Sequence, residues 1–166
     1  MSAVALAKAG ESLSRHSKLN MILVHSIIGL MPVDNHHFSW YWFIGSIIPD
    51  IDHLFILYQH KIFSRDKIVD VMRFEKKYNL HFKTKYLHSV FGAIVMTVPV
   101  LLINSTGAVY FFTAYILALL LDWPDIDEKQ YLFPFKKKFR GFLPIFSIPE
   151  RVITLVLLVL LIYFYL

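Results

Sequence analysis

Apolar residues in this chain gather into five blocks, and every lysine and arginine lies between the blocks rather than inside them. The blocks are Leu19–Val33, Phe38–Tyr58, Tyr86–Ile103, Gly107–Trp123 and Val152–Leu166. A soluble core is built from stripes of apolar residues, whereas a lipid-spanning helix needs about 20 predominantly apolar residues in a row. With 57% of its 166 residues hydrophobic, the chain reads as an all-α, polytopic membrane helix bundle of about five spans in a single domain over residues 1–166. Only the second block reaches an easy crossing length. The first and last, at 15 residues each, must extend into flanking turns or thin the bilayer locally. Pro32 and the run Asn104-Ser105-Thr106-Gly107 mark turns.

The charges set an orientation. All 17 Lys and Arg fall in Met1–Asn20, Gln59–Lys85 and Pro124–Arg151, and the turns Asp34–His37 and Asn104–Thr106 contain none. Alternating five spans puts the three basic stretches on one side. The positive-inside bias then predicts a cytoplasmic N-terminus, cytoplasmic loops at about 59–85 and 124–151, and an exported C-terminus. The stretch Ser2–Ala9 is too short and too mixed for the apolar region of a signal peptide, so no cleaved leader is expected.

Two copies of Pro-Asp-Ile-Asp, at 49–52 and 124–127, lie against these apolar runs. A carboxylate near the centre of a span costs about 2.5–3.5 kcal/mol on insertion scales, so Asp50 and Asp52 require compensation. At ~1.5 Å per residue, His25 lies about 9 Å inside span one, and Asp50, Asp52 and His53 lie about 7–12 Å inside span two. His88 opens span three and Asp122 closes span four, on the same cytoplasmic side. Four spans thus bring ionisable groups to one half of the bilayer. A divalent metal would compensate several acids at once, and mixed His and Asp donors suit zinc, manganese or iron.

The chain has no cysteine, so any metal binds through oxygen and imidazole nitrogen. Asp50 and His53, three apart, share a helical face, while Asp52 points elsewhere unless Pro49 distorts the helix. His88, Gly92 and Met96 share a face of span three, with Gly92 admitting a close neighbour. A plainer account makes the acids partners of Lys or Arg, but no span contains one. His25 alone reads equally well as a helix–helix hydrogen bonder. His16, His36, His37, His60 and His81 read as solvated or interfacial. Asp125 and Asp127 read as an acidic helix terminus and, secondarily, as contributors to the site. Lys76-Lys77 and Lys136-Lys137-Lys138 read as solvated faces or contacts to anionic headgroups. No His-Glu-x-x-His, no Gly-x-Ser-x-Gly and no Gly-rich phosphate loop is present, and no nucleic-acid fold is recognisable, so nucleic acid is not an expected partner.

His25, the block Gly45-Ser46-Ile47-Ile48-Pro49-Asp50-Ile51-Asp52-His53, Leu87-His88-Ser89, and Asp122 followed by Tyr131-Leu132-Phe133-Pro134-Phe135 resemble a known family. It is that of the inner-membrane metal-dependent hydrolases of bacteria and archaea, also described as LexA-binding, inner-membrane-associated hydrolases. The resemblance runs from about Met21 to Arg140. It implies an α-helical fold in the inner (plasma) membrane and a metal-dependent hydrolytic site carried by His25, Asp50, Asp52, His53, His88 and Asp122. Two departures stand out. Lys83-Thr84 and Leu87 replace the family's usual His-Arg ahead of Thr-His-Ser, and Ala118 stands where a His usually precedes the last Asp by four residues.

The expected function is a membrane-embedded metallohydrolase with a cytoplasm-facing site. His25, Asp50, His53, His88 and Asp122 would hold zinc or manganese, and Asp52 with His53 would carry the catalysis. Asp52 would act as base or as orienter of the ligands. A site within the bilayer favours a membrane lipid or lipid-linked phosphoester as substrate. The alternative is a non-catalytic subunit or adaptor with a structural or degenerate metal site, binding a protein partner through its basic cytoplasmic loops. An ion or proton pathway would require polar residues in the exported half as well.

The charge sorting generates a topological test. A reporter fused after Leu166 should be active only outside the cytoplasm, and one inserted at Lys77 only inside. Matching signals from both positions would exclude the five-span arrangement.

Overall fold

The computed structural model describes residues 20–33, 37–64, 67–68, 71, 84–124, 128–142 and 148–166. It is mostly helical. Helix α1 spans Asn20–Leu30, α2 Trp40–Ile47, α3 Ile51–Gln59, α4 Val90–Ile103, α5 Ser105–Asp122 and α6 Ile148–Tyr165. The 3-10 segment Ile48–Asp50 joins α2 to α3. Strands β1 (Glu128–Lys129) and β2 (Phe139–Arg140) pair antiparallel, with Glu128 opposite Arg140. This hairpin corrects the all-α expectation locally. The chain returning from α5 leaves backbone groups without a helical partner, and pairing two short segments satisfies some of them.

Helix α5 is the axis of the fold. Helices α2 and α4 pack on it, α1 packs on α2, and α6 packs on α1. Its buried residues are Gly107, Ala108, Phe111, Ala114, Tyr115, Ala118, Leu119 and Asp122, a stripe at spacings of three and four. Four of these are Gly or Ala, which lets neighbouring backbones approach. Gly45 of α2 uses that space most tightly, because a Cβ built there would meet the Phe111 carbonyl oxygen. Ala93, Phe111, Tyr115 and Leu119 form the buried cluster, with Tyr41, Ile48 and Met96 against it.

The polar backbone is closed at the helix ends. Asn104 ends α4 and caps α5, its Oδ1 accepting from Gly107 N at 2.7 Å, so this turn is shorter than expected. Ser89 caps α4 by accepting from Gly92 N at 3.1 Å and donates to Tyr86 O at 2.8 Å. Gly92 is small for the same turn, since a Cβ would strike the Tyr86 carbonyl; the close neighbour is the chain's own approach to α4. The carbonyls of Ile28 and Leu30, at the end of α1, accept from Trp42 Nε1 at 2.6 Å and Tyr165 OH at 2.8 Å.

Apolar side chains cover much of the outer surface. Leu101, Leu102 and Ile103 on α4, and Leu155, Val159, Ile162 and Tyr163 on α6, are all exposed. Such a face is stable against hydrocarbon and unstable against water. Among the described residues, one helix, α5, has both the length and the apolarity to cross a membrane, while the apolar segments Val90–Ile103 and Val152–Tyr165 are shorter. The long second block is divided at Pro49, which cannot donate to the helical ladder.

The close α2–α5 contact predicts that Gly45→Ala lowers stability by about 1–3 kcal/mol, the usual cost of forcing an extra carbon into a packed contact. Thermal unfolding of the purified protein in detergent reads this out. An unchanged midpoint would mean that α2 can shift away from Phe111 at no cost.

Candidate metal centre

The break at Pro49 sets the geometry of the polar cluster. Asp50 ends the 3-10 segment, and Asp52 and His53 occupy the first turn of α3. Carboxylates at a helix N-terminus meet the unpaired N–H groups and the positive end of the helix dipole, which favours their placement there. Ile51 between them faces outward and is 46% exposed, whereas Asp50, Asp52 and His53 are buried.

Asp50 and Asp52 do point apart, as their spacing predicts, but both directions lie inside the protein. Asp50 faces α1, where His25 Nδ1 donates to its Oδ2 at 2.6 Å. Asp52 faces the turn ahead of α4. Its Oδ1 accepts from His53 Nδ1 at 3.0 Å, and its Oδ2 accepts from His88 Nδ1 at 2.9 Å and from Thr84 N at 2.8 Å. Two carboxylate oxygens thus hold two imidazoles and a backbone amide. His53 Nδ1 is also 3.9 Å from Asp50 Oδ1, and the His53 and His88 ring centroids are 5.4 Å apart.

Asp122 completes the cluster from the end of α5. Its Oδ1 is 3.6 Å from His25 Nε2 and its Oδ2 is 3.3 Å from His88 Nε2. A carboxylate at a helix C-terminus meets the unfavourable end of the dipole. The compensation comes from the hairpin: Lys129, itself buried, donates from Nζ to the Asp122 carbonyl oxygen. Tyr115 OH donates to Leu87 O at 2.7 Å and ties α5 to the turn that carries His88.

All six residues singled out in the sequence, His25, Asp50, Asp52, His53, His88 and Asp122, therefore meet in one buried cluster. Asp125, Asp127, His16, His36, His81, Lys76 and Lys77 lie outside the described residues, and His37 and His60 are exposed. Two contributors were not read from sequence. Thr84 acts through its backbone N–H, which carries no side-chain signal. Lys129 comes from a loop whose path the apolar pattern does not encode.

The cluster can hold a metal ion. Asp50, His53 and His88 each offer a ligand atom, all within 4.8 Å of one another and all buried. Asp50 Oδ1 and His88 Nε2 are buried with no hydrogen-bond partner among the described residues, an arrangement that costs about 1–3 kcal/mol per neutral polar group and more for a charged one. An oxygen and an imidazole nitrogen left in this state suit a cation such as zinc or manganese. Asp52 stands behind both imidazoles, in the position from which a carboxylate fixes the tautomer of a ligating histidine.

The chain matches the YdjM inner membrane protein family over residues 2–166. It belongs to that family. The membership places it in the inner membrane, the location that the sequence resemblance implied. Nothing among curated proteins or solved structures matches the chain.

Titration of chelator-stripped protein with zinc or manganese should show saturable binding and a rise in thermal stability, because an ion bound only by the folded state stabilises it. Asp50→Ala and His88→Ala should each abolish most of that binding. Unchanged binding in both variants would locate any ion elsewhere.

Proposed function

We propose that this protein is a membrane-embedded, metal-dependent hydrolase acting on a lipid or lipid-linked phosphoester from the cytoplasmic half of the inner membrane. The observation that carries this reading is the buried convergence of Asp50, His53 and His88 on one point. The proposed setting is the five-span bundle with a cytoplasmic N-terminus. The exposed apolar faces of α4 and α6 and the separation of all 17 Lys and Arg from the apolar blocks support it.

In this reading Asp50, His53 and His88, with His25 and Asp122 beside them, hold a divalent ion. When bound, that ion supplies Lewis acidity toward a phosphoryl oxygen and acidifies nearby water. The chain's own residues do the remaining work. Asp52 holds the Nδ1 protons of His53 and His88, so both Nε2 atoms present lone pairs. Asp50 does the same for His25. Thr84 N fixes Asp52 in turn. Asp52 is also the carboxylate best placed to exchange protons with His53.

The second reading is a non-catalytic subunit in which the network only joins helices. The His25–Asp50 contact at 2.6 Å and the buried Ala118 one turn from Asp122 favour it, since the first is satisfied without an ion and the second offers no ligand. That protein would bind a partner through its basic loops.

Hydrolysis separates the two. Asp52→Asn, assayed at saturating metal on a phosphoester lipid, should keep the ion and the fold while losing about 10²-fold in rate, the scale of a removed acid–base group. Chelation should abolish turnover in the native protein. If Asp52→Asn and Asp50→Asn lose metal together, Asp52 is a ligand; if native protein binds metal yet hydrolyses no phosphoester lipid, the subunit reading stands.

A further inference from the structure

Beside the polar cluster lies an apolar groove of about 300 Å³, lined by Val90, Leu119, Leu120, Trp123, Tyr131 and Phe139, among others. That volume is at the small end of the ~300–1,000 Å³ range of ligand sites. Its lining is wholly apolar, and it is open: Leu120 is 58% and Trp123 57% exposed. The groove shares its walls with the cluster. Leu119 and Asp122 are three apart on α5, and Val90 follows His88 by two residues. The Val90 N–H donates to Tyr131 O at 2.9 Å, which seals the end of α4 to the floor of the groove.

The hairpin supplies the opposite character at the rim. Lys137 Nζ lies 5.3 Å over the ring of Phe139, itself a groove wall, and Phe139 packs at a tilt against Tyr131, ring centroids 6.1 Å apart. Lys136, Lys138 and Arg140 are exposed on the same hairpin. Among the named rim residues the exposed acid is Glu128, which Lys138 occupies at 3.1 Å. An apolar slot edged by a cation over an aromatic ring complements a molecule with a hydrocarbon tail and an anionic head.

We infer that this groove seats one acyl chain of an anionic phospholipid, with Lys137 at the rim facing the headgroup. This rests on the hydrolase reading and gives its substrate a specific apolar anchor. Binding is a separate event from turnover, so it is tested with chelator present throughout.

The probe is phosphatidylglycerol carrying a photoactivatable diazirine in one acyl chain, added to the purified full chain in detergent and mapped by peptide mass spectrometry. Labelling should concentrate on residues 116–123 and 131–139 relative to α6, and unlabelled phosphatidylglycerol should compete better than phosphatidylcholine of the same chain length. Leu132→Trp fills the groove and should remove that labelling while leaving α6 labelled. Leu120→Trp is the second variant, should the first fail to fold. Lys137→Gln should reduce the preference for phosphatidylglycerol by about fivefold, the effect of one lysine near a headgroup. Even labelling of all apolar helices would overturn the inference as ordinary annular lipid. Equal competition by phosphatidylcholine would overturn it as well. Confined labelling in a protein that hydrolyses no phosphoester lipid once metal is restored would leave the groove standing and remove the enzyme.

Discussion

Three carboxylates, Asp50, Asp52 and Asp122, are buried in a bundle whose other contacts are overwhelmingly apolar, and the arrangement around them follows from that burden. Desolvating an acid is tolerable only where opposite charge, hydrogen-bond donors or a helix N-terminus face it. Each acid has its own solution. Asp50 takes a histidine from α1, Asp52 takes two histidines and a backbone amide, and Asp122, which faces the Nε2 atoms of His25 and His88, would share a cation with them. The helices that contribute these donors cannot slide independently without stranding a buried polar group.

That coupling explains why packing and site are one design. Small residues along α5 let α2 approach until Gly45 touches the Phe111 backbone. The approach sets where α2 ends, and Pro49 then redirects the chain so that α3 starts inside the cluster rather than beside it. On the other flank, the turn from Thr84 to Ser89 is held by Tyr115 and by the cap of α4, which delivers His88. A shift in either helix would move candidate ligand atoms now within 4.8 Å of one another.

The hairpin has a comparable role at the basic face. It carries Lys129 inward to the end of α5 and leaves Lys136, Lys137 and Lys138 outward. One short excursion therefore brings a cation to the end of α5, beside the least favourable of the three acids, and turns the remaining positive charge outward. The same excursion forms one wall of the apolar groove, through Tyr131, Leu132 and Phe139.

Much of this was legible in the chain itself. Apolar blocks reveal helices because burial in lipid demands continuous apolarity, and helix positions from Asn20 to Tyr165 follow those blocks closely. The six polar residues of the cluster stood out because ionisable groups are rare in such blocks. Their pairing was not legible. Helical spacing said that Asp50 and Asp52 diverge, but only the packed structure shows α3 entering between α1 and the turn before α4, so that both directions are interior. Thr84 contributes a backbone amide, and any residue but proline has one. Lys129 reads as one more charge in a basic loop, and its burial depends on strand pairing across a nine-residue turn. Sequence determined which groups needed compensation, because that cost belongs to the residue; tertiary structure decided which group compensates which, because that depends on distances the chain sets only once its helices have packed.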